Sequence, residues 1–151
     1  MPATMIRTAV ASDVPPLLSL VRRYWEFEGI AGFDALRVEL LLQRLVGTAD
    51  LGQIFVAASG TELCGYLALV HVLSLEHGGL MAEIDELFVL PAARARGVGG
   101  QLLTAAEAAL RQRGCVRVQL QLGVANAAAR SFYERRGYGG RAGYQLLDKP
   151  L

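Results

Sequence analysis

Two arginines and three glycines stand together in LPAARARGVGG, residues 90–100: Arg94, Arg96, Gly97, Gly99 and Gly100. Glycine lets a backbone approach a ligand closely, and a helix N-terminus offers unpaired N–H groups. Arginine adds two parallel donors for a phosphate. If a helix follows, as the pattern QLLTAAEAALRQR predicts, the segment suits a diphosphate or a polyphosphate.

Two common phosphate loops do not fit these residues. A Walker loop needs Lys followed by Ser or Thr, and neither pair follows Gly99 or Gly100. A dinucleotide fingerprint starting at Gly97 needs a third glycine where Leu102 stands. A tight turn with two solvated arginines remains as the alternative without a ligand.

Three acids precede the loop in AEIDELFVL, residues 82–90: Glu83, Asp85 and Glu86. Strand alternation predicts Glu83 and Asp85 on one face and Glu86 on the other. Two carboxyls on one face can raise each other's pKa, and both would attract a cation. The alternative is a solvated strand edge.

The elements around these residues follow the order β-αα-βββ-α-β-α-β. This order predicts one mixed α/β sheet, with antiparallel strands early and helical crossovers late. The predicted strands are residues 4–10, 53–59, 64–75, 82–90, 115–124 and a last short strand within 138–151. The predicted helices are residues 14–29, 34–47 (with apolar positions at Leu36, Leu40 and Leu41), 100–113 and 127–137, the last capped by Asn126.

Composition narrows the class of protein. The 151 residues fit a single domain, 1–151, and 53% apolar with 19% charged residues argue against disorder. A net charge of +1 gives no general attraction to nucleic acid or to an anionic membrane. No apolar run reaches the roughly 18 residues of a membrane span, and no metal-ligand spacing surrounds the histidines. We therefore predict a cytoplasmic protein without a metal, a nucleic-acid partner or a membrane partner.

The loop also matches R-x-x-G-x-G at Arg94, Gly97 and Gly99, and NAAARSFYERRGY follows from Asn126. Together these motifs resemble the GCN5-related N-acetyltransferase (GNAT) family. The stretch IDELFVLPAARARGVGGQLL is similar to the acetyl-CoA core of the family, although Ala95 stands where glycine is frequent. The resemblance covers nearly the whole chain and implies a GNAT-like acyl-CoA N-acyltransferase fold with acetyl-CoA as cofactor.

The resemblance also implies how coenzyme A is held. The pyrophosphate would lie on the N–H groups of residues 96–100, and pantetheine would pair with the main chain of Leu87 and Val89 like an added strand. The Leu87 N–H would polarise the acetyl carbonyl. The cofactor-binding residues implied are Leu87, Phe88, Val89, Arg94, Ala95, Arg96, Gly97, Val98, Gly99, Gly100, Asn126, Phe132 and Tyr133.

Acetylation of an amine needs a base, because an amine of pKa near 10.4 is only about 0.04% neutral at pH 7. We favour Asp85 and Glu83, acting through water. The resemblance implies Tyr133 as the acid that protonates the departing thiolate; packing beside Phe132 to position the coenzyme is the alternative. The acceptor-binding residues expected are Tyr24, Phe27, Glu28, Glu83 and Asp85.

The resemblance implies transfer of an acetyl group from acetyl-CoA to a primary amine of a small molecule, by direct attack in a ternary complex. A diamine, a polyamine or an amino acid fits the acids. A non-catalytic acyl-CoA-binding module is one alternative, and a protein N-terminal or lysine acetyltransferase is another. The family resemblance also allows a homodimer.

Overall fold

A five-stranded sheet organises the chain. The computed structural model describes residues 2–151. The chain forms two compact units, and the division along the sequence falls between Leu120 and Gln121. The first holds strands β1 Thr4–Thr8, β2 Gly52–Ser59, β3 Glu62–Ser74, β4 Gly79–Val89 and β5 Arg117–Leu120, and helices α1 Val14–Glu28, α2 Ala35–Gly47, α3 Pro91–Arg94 and α4 Val98–Gln112; the second holds α5 Ala127–Glu134.

The strands lie in the order β1-β2-β3-β4-β5. The first four pair antiparallel, and β5 pairs parallel to β4 after the crossover through α4. This arrangement confirms the predicted mixed sheet. The prediction of one domain over residues 1–151 stays a prediction.

Each face of the sheet has its own helical layer. Tyr66 and Phe88 pack with residues of α1 and α2 in one core cluster. On the opposite face, a Cβ atom built on Gly65 would lie 3.4 Å from Leu102 of α4. Because side chains alternate along β3, Leu67 shares that face with Gly65, so it belongs to the α4 side.

Of the apolar residues of α2, Leu36, Leu40 and Leu41 are exposed, whereas Val38 and Leu42 are buried. Two details of the predicted strands are wrong. The strand predicted over 115–124 is formed only at Arg117–Leu120, where it pairs with β4. Within residues 121–151 no strand is formed, and Leu146 and Leu147 are exposed. An alternating apolar pattern makes a strand only where a partner strand is present.

A bidentate ion pair fixes the turn between β1 and α1. Arg7 donates from Nη1 to Asp13 Oδ2 at 2.7 Å and from Nη2 to Oδ1 at 2.9 Å. The Val10 N–H also donates to Asp13 Oδ2, at 2.8 Å. The hydrogen bond from Arg7 lowers the pKa of Asp13, and burial opposes this effect. The N–H of Val10 also lowers the pKa, so the net change is downward.

We expect Asp13→Asn to lower the free energy of unfolding by about 2–4 kcal/mol at pH 7, because Arg7 loses the carboxylate it faces. The folded-state pKa of Asp13 is depressed, so its contribution is present above the unfolded pKa of about 3.9 and is lost as pH falls through the folded value. Urea denaturation of both proteins from neutral to acidic pH should show the difference between them shrinking.

Asp50→Asn is the matched control. Asp50 pairs with Arg113 at 2.8 Å, but its side chain is 100% exposed, against 8% for Asp13. We expect little or no loss of stability for this exposed pair, because solvent screens it. Equal losses for the two variants would contradict the role assigned to Asp13.

Candidate active site

A β-bulge interrupts β4 at the acidic segment. Leu67 pairs with Leu87 and Ala68 with Glu86, but the next residue of β3, Leu69, pairs with Ile84. Asp85 is therefore the extra residue of β4, with no partner of its own on β3. A bulge of this kind re-aims the side chains that follow it.

The bulge overturns the predicted distribution of the three acids. Glu83 pairs with Val70 and Glu86 with Ala68, and these two β3 residues share one face of the sheet. Glu83 and Glu86 therefore share the α1 side, whereas strict alternation had placed them on opposite faces. Asp85 lies between them as the inserted residue, so the two-residue period is broken after it.

One edge of β4 is open beyond the bulge. The Leu90 N–H donates to the Cys64 carbonyl at 2.8 Å, which makes this a hydrogen-bonded pair. Bonded and non-bonded pairs alternate in an antiparallel ladder, so Leu87 and Val89 direct their N–H and C=O groups away from β3. β5 pairs only with Met81–Ile84. Within residues 2–120, the edge at Leu87 and Val89 therefore has no partner strand.

The glycine-rich loop joins this edge to α4. Leu90 leads into the single turn of α3, and Gly97 adopts φ +71° immediately before α4. That left-handed conformation suits glycine. The first helical hydrogen bond runs from the Gln101 N–H to the Gly97 carbonyl, so the N–H groups of residues 98–100 precede the ladder. The predicted cradle of residues 96–100 is wrong at its first two positions, because the N–H groups of Arg96 and Gly97 already donate to the carbonyls of Ala93 and Arg94. Ala95 is right-handed, with φ −66°, and no glycine is needed there.

The side chains of the two loop arginines contact other residues of the protein. Arg94 Nε donates to the Val89 carbonyl at 2.9 Å, and its guanidinium lies over the ring of Phe27. Arg96 Nη2 donates to Thr4 Oγ1 at 3.3 Å, and its buried Nε has no partner among the described residues. Both side chains therefore tie the loop to neighbouring elements.

The three acids of β4 differ in their surroundings. Glu83 accepts a hydrogen bond from Gln119 Nε2 at 2.8 Å. Glu86 accepts one from Trp25 Nε1 and one from the Tyr66 hydroxyl, both at 2.8 Å. Asp85 is exposed and has no hydrogen bond or ion pair in the described part of the chain.

The pKa values of two acids are raised. For Asp85, loss of hydration beside the sheet raises the pKa, and the charge of Glu83 raises it further. For Glu86, burial raises the pKa more than the bonds from Tyr66 and Trp25 lower it, and the charge of Asp85 adds to the rise. Sequence reasoning missed the hydrogen bonds from Trp25 and Tyr66 to Glu86, which together form the Glu86 tether. It also missed the bond from Gln119 to Glu83, because no local pattern links positions so far apart.

Aromatic side chains from α1 meet β4 beside the acids. Tyr24 and Phe27 lie 5.8 Å and 6.2 Å from Phe88, measured between ring centroids. Phe27 is 62% exposed, and Glu28 is exposed at the last turn of α1. The structure thus brings Tyr24 and Phe27 to the end of β4, on the face that Glu86 shares.

The second unit presents its own predicted residues. The Asn126 side chain accepts a hydrogen bond from the Ala129 N–H at 3.1 Å, which confirms it as the cap of α5. Tyr133 packs against Phe132 and Tyr138, with ring centroids 5.0 Å and 5.4 Å away. Burial raises the pKa of Tyr133 to about 12, so the phenol is protonated at neutral pH.

Within residues 2–151, no helix is long and apolar enough to cross a membrane. No group of three or more His, Cys, Asp or Glu residues in that range is placed to hold a metal ion.

Known proteins are similar to this chain in sequence and in fold. The family model described as Acetyltransferase (GNAT) family matches residues 16–138. The uncharacterized N-acetyltransferase YhfO of Bacillus subtilis (strain 168) is 33% identical over 133 residues, 88% of each protein. The aminoalkylphosphonate N-acetyltransferase of Salmonella typhimurium (strain LT2) is 36% identical over 83 residues, 55% of this chain and 54% of that protein.

A solved structure has the same fold as this chain. The integron cassette protein HFX_CASS3 from the Cole Harbour Salt Marsh metagenome superposes with a TM-score of 0.85 and 30% identity, covering 97% of this chain and 90% of its own. The chain belongs to the GNAT family of N-acetyltransferases. This confirms the resemblance and the fold that it implied.

The sequence has one tryptophan, Trp25, and its indole N–H binds Glu86, so its emission should report the protonation of that carboxyl. We expect one fluorescence transition with a midpoint above the ordinary pKa of glutamate, absent in Glu86→Gln. Tyr66→Phe removes a hydrogen bond that lowers the pKa of Glu86, so the midpoint should move higher. Emission that stays flat, or a midpoint that Tyr66→Phe leaves in place, would contradict the tether.

Proposed function

We propose that this protein transfers the acetyl group of acetyl-CoA to a primary amine of a small molecule. The observation that carries the proposal is the open edge of β4 at Leu87 and Val89, which continues within a few residues into the glycine that starts α4. Family membership supports acetyl transfer as the reaction.

The described residues fit coenzyme A in two places. An extended chain with amide groups can pair with the N–H and C=O groups of the open β4 edge, as an added strand does. The N–H groups of residues 98–100 and the positive end of the α4 dipole suit a pyrophosphate. When bound, acetyl-CoA supplies the acetyl group as a reactive thioester.

Leu87 is proposed to activate the acyl group. Its N–H points out of the open edge, where it can donate to the acyl carbonyl oxygen as negative charge develops there. A backbone donor held by a sheet needs little reorganisation during the reaction, and this favours the transition state over the ground state.

Among the acids, Asp85 suits the proton acceptor. It is exposed, it is not engaged by another described residue, and its raised pKa makes it a stronger base than an ordinary aspartate. Glu83, held by Gln119, raises that pKa and adds negative charge that attracts an ammonium group. We therefore propose that Asp85 takes the proton of the amine, directly or through water, with Glu83 in support.

Tyr133 is proposed to stabilise the departing thiolate. With a pKa of about 12, the phenol stays protonated and can donate a hydrogen bond. Complete proton transfer to a thiolate, whose conjugate thiol has a pKa of about 8.5, would run uphill. Tyr133 thus acts as a hydrogen-bond donor at the sulfur rather than as a strong acid.

The acceptor is a small-molecule amine, and the acids of β4 favour one that carries positive charge. The similarity to an aminoalkylphosphonate N-acetyltransferase adds that class of amine to the diamines, polyamines and amino acids. Acetylation of a protein N-terminus or lysine, and acyl-CoA binding without transfer, are the competing functions. A cytoplasmic location and a homodimer stay predictions.

The first test is release of CoA thiol from acetyl-CoA in the presence of aminoalkylphosphonates, polyamines, amino acids, aminoglycosides or short peptides. We expect release that depends on one class of small amine, because the acids of β4 select for charge. Release only with peptides would favour a protein acetyltransferase. Saturable acetyl-CoA binding with no release for any amine would contradict the proposed transfer.

With the responding amine, Asp85→Asn should lower kcat/KM by about 10²–10⁴-fold and remove the acidic limb of the pH–rate profile, since a general base is lost. Glu83→Gln should shift that limb to lower pH, because the charge that raises the pKa of Asp85 is gone. Tyr133→Phe should lower kcat with little change in the affinity for acetyl-CoA. The role of each residue fails if its variant matches the wild type in these measurements.

A further inference from the structure

The side chain of Arg94 joins the end of β4 to the end of α1. Its Nε donates to the Val89 carbonyl at 2.9 Å. Its guanidinium carbon lies 4.7 Å from the ring centroid of Phe27, the second-last residue of α1, and 5.7 Å from that of Phe88. Arginine suits this place because its planar group can stack on a ring while its Nε donates a hydrogen bond.

The contact with Val89 fixes one particular peptide group. The carbonyl of Val89 and the N–H of Leu90 belong to the same planar unit. The N–H side donates to the Cys64 carbonyl at 2.8 Å, and the carbonyl side accepts from Arg94. The last peptide of β4 is therefore held from both sides, directly before the chain enters the loop.

This arrangement divides the polar groups of the open β4 edge. The Val89 carbonyl already has a donor in Arg94, so the N–H and C=O of Leu87 and the N–H of Val89 remain for an added strand. Because Phe27 and Phe88 hold the guanidinium, the orientation of the edge depends on the last turn of α1.

We infer that Arg94 is a positioning residue. Its side chain, stacked on Phe27, orients the open edge of β4 through the Val89–Leu90 peptide and does not bind phosphate. This inference rests on the proposed function, because it concerns the edge proposed to hold acetyl-CoA. It differs from the arginine–phosphate contact that the loop sequence suggests, in which Phe27 has no part.

Calorimetric titration with acetyl-CoA distinguishes the two roles. For a positioning residue, Arg94→Gln should weaken binding by about tenfold, comparable to the loss of one hydrogen bond to a charged group. Phe27→Leu should weaken binding in the same direction. The double variant should bind no more weakly than Arg94→Gln, because Phe27 acts only through Arg94.

Two further measurements separate positioning from charge and from plain stability. Arg94→Lys keeps the charge but not the planar group, so it should not restore affinity. The salt dependence of the dissociation constant should match wild type in Arg94→Gln, since no charge contact with the ligand is removed. A merely structural role would lower the melting temperature of Arg94→Gln and leave its affinity for acetyl-CoA at the wild-type value.

Arg22→Gln is the matched control. Arg22 is on α1, and its guanidinium carbon lies 4.7 Å from the ring centroid of Phe33, which equals the separation between Arg94 and Phe27. This variant should bind acetyl-CoA like the wild type, which would show that losing a stacked guanidinium is not enough to weaken binding.

Several results would overturn the inference. These are wild-type affinity in Arg94→Gln, recovery in Arg94→Lys, or a flattened salt dependence in Arg94→Gln together with wild-type affinity in Phe27→Leu. A wild-type protein that binds no acetyl-CoA would instead overturn the proposed function itself. The two failures are therefore distinguishable.

Discussion

One extra residue in β4 is the constraint on which the rest of the site depends. The bulge at Asp85 lets Ile84 pair with Leu69 on the α4 side while Phe88 pairs with Tyr66 on the α1 side. The shift thereby places the apolar side chains of Ile84 and Phe88 on opposite faces of the sheet. The same shift turns the amides of Leu87 and Val89 toward the edge that β5 leaves open, so packing and site geometry share one cause.

Three acids that lie within four residues of each other around the bulge differ in their surroundings. Glu86 is held by two aromatic donors, Glu83 by an amide from β5, and Asp85 is exposed. A carboxyl with two donors is fixed in place, whereas an exposed one with a raised pKa can exchange a proton. Environment rather than residue type therefore separates an anchor from a candidate base.

Much of the fold could be predicted from local signals. Asn126 before a helical segment, prolines in the first turn of α1 and glycine before α4 all act within a few residues, and the four predicted helices and the first four predicted strands lie where they were expected. The bulge could not be predicted, because alternation assumes a constant period of two and an inserted residue leaves no mark in composition. The buried side of α2 could not be predicted either, because this helix is apolar on several sides and only packing decides that Val38 and Leu42, rather than Leu36, are buried.

The open edge of β4 has a consequence for how this protein can change during evolution. A ligand recognised there meets N–H and C=O groups, which every residue except proline supplies, so most substitutions at Leu87 would keep those contacts. In the proposed reaction, Tyr24 and Asp85 instead offer side chains to the amine, and each substitution there alters what they recognise. Under the proposed function, preference for the amine can diverge between relatives while recognition of the acyl donor stays constant.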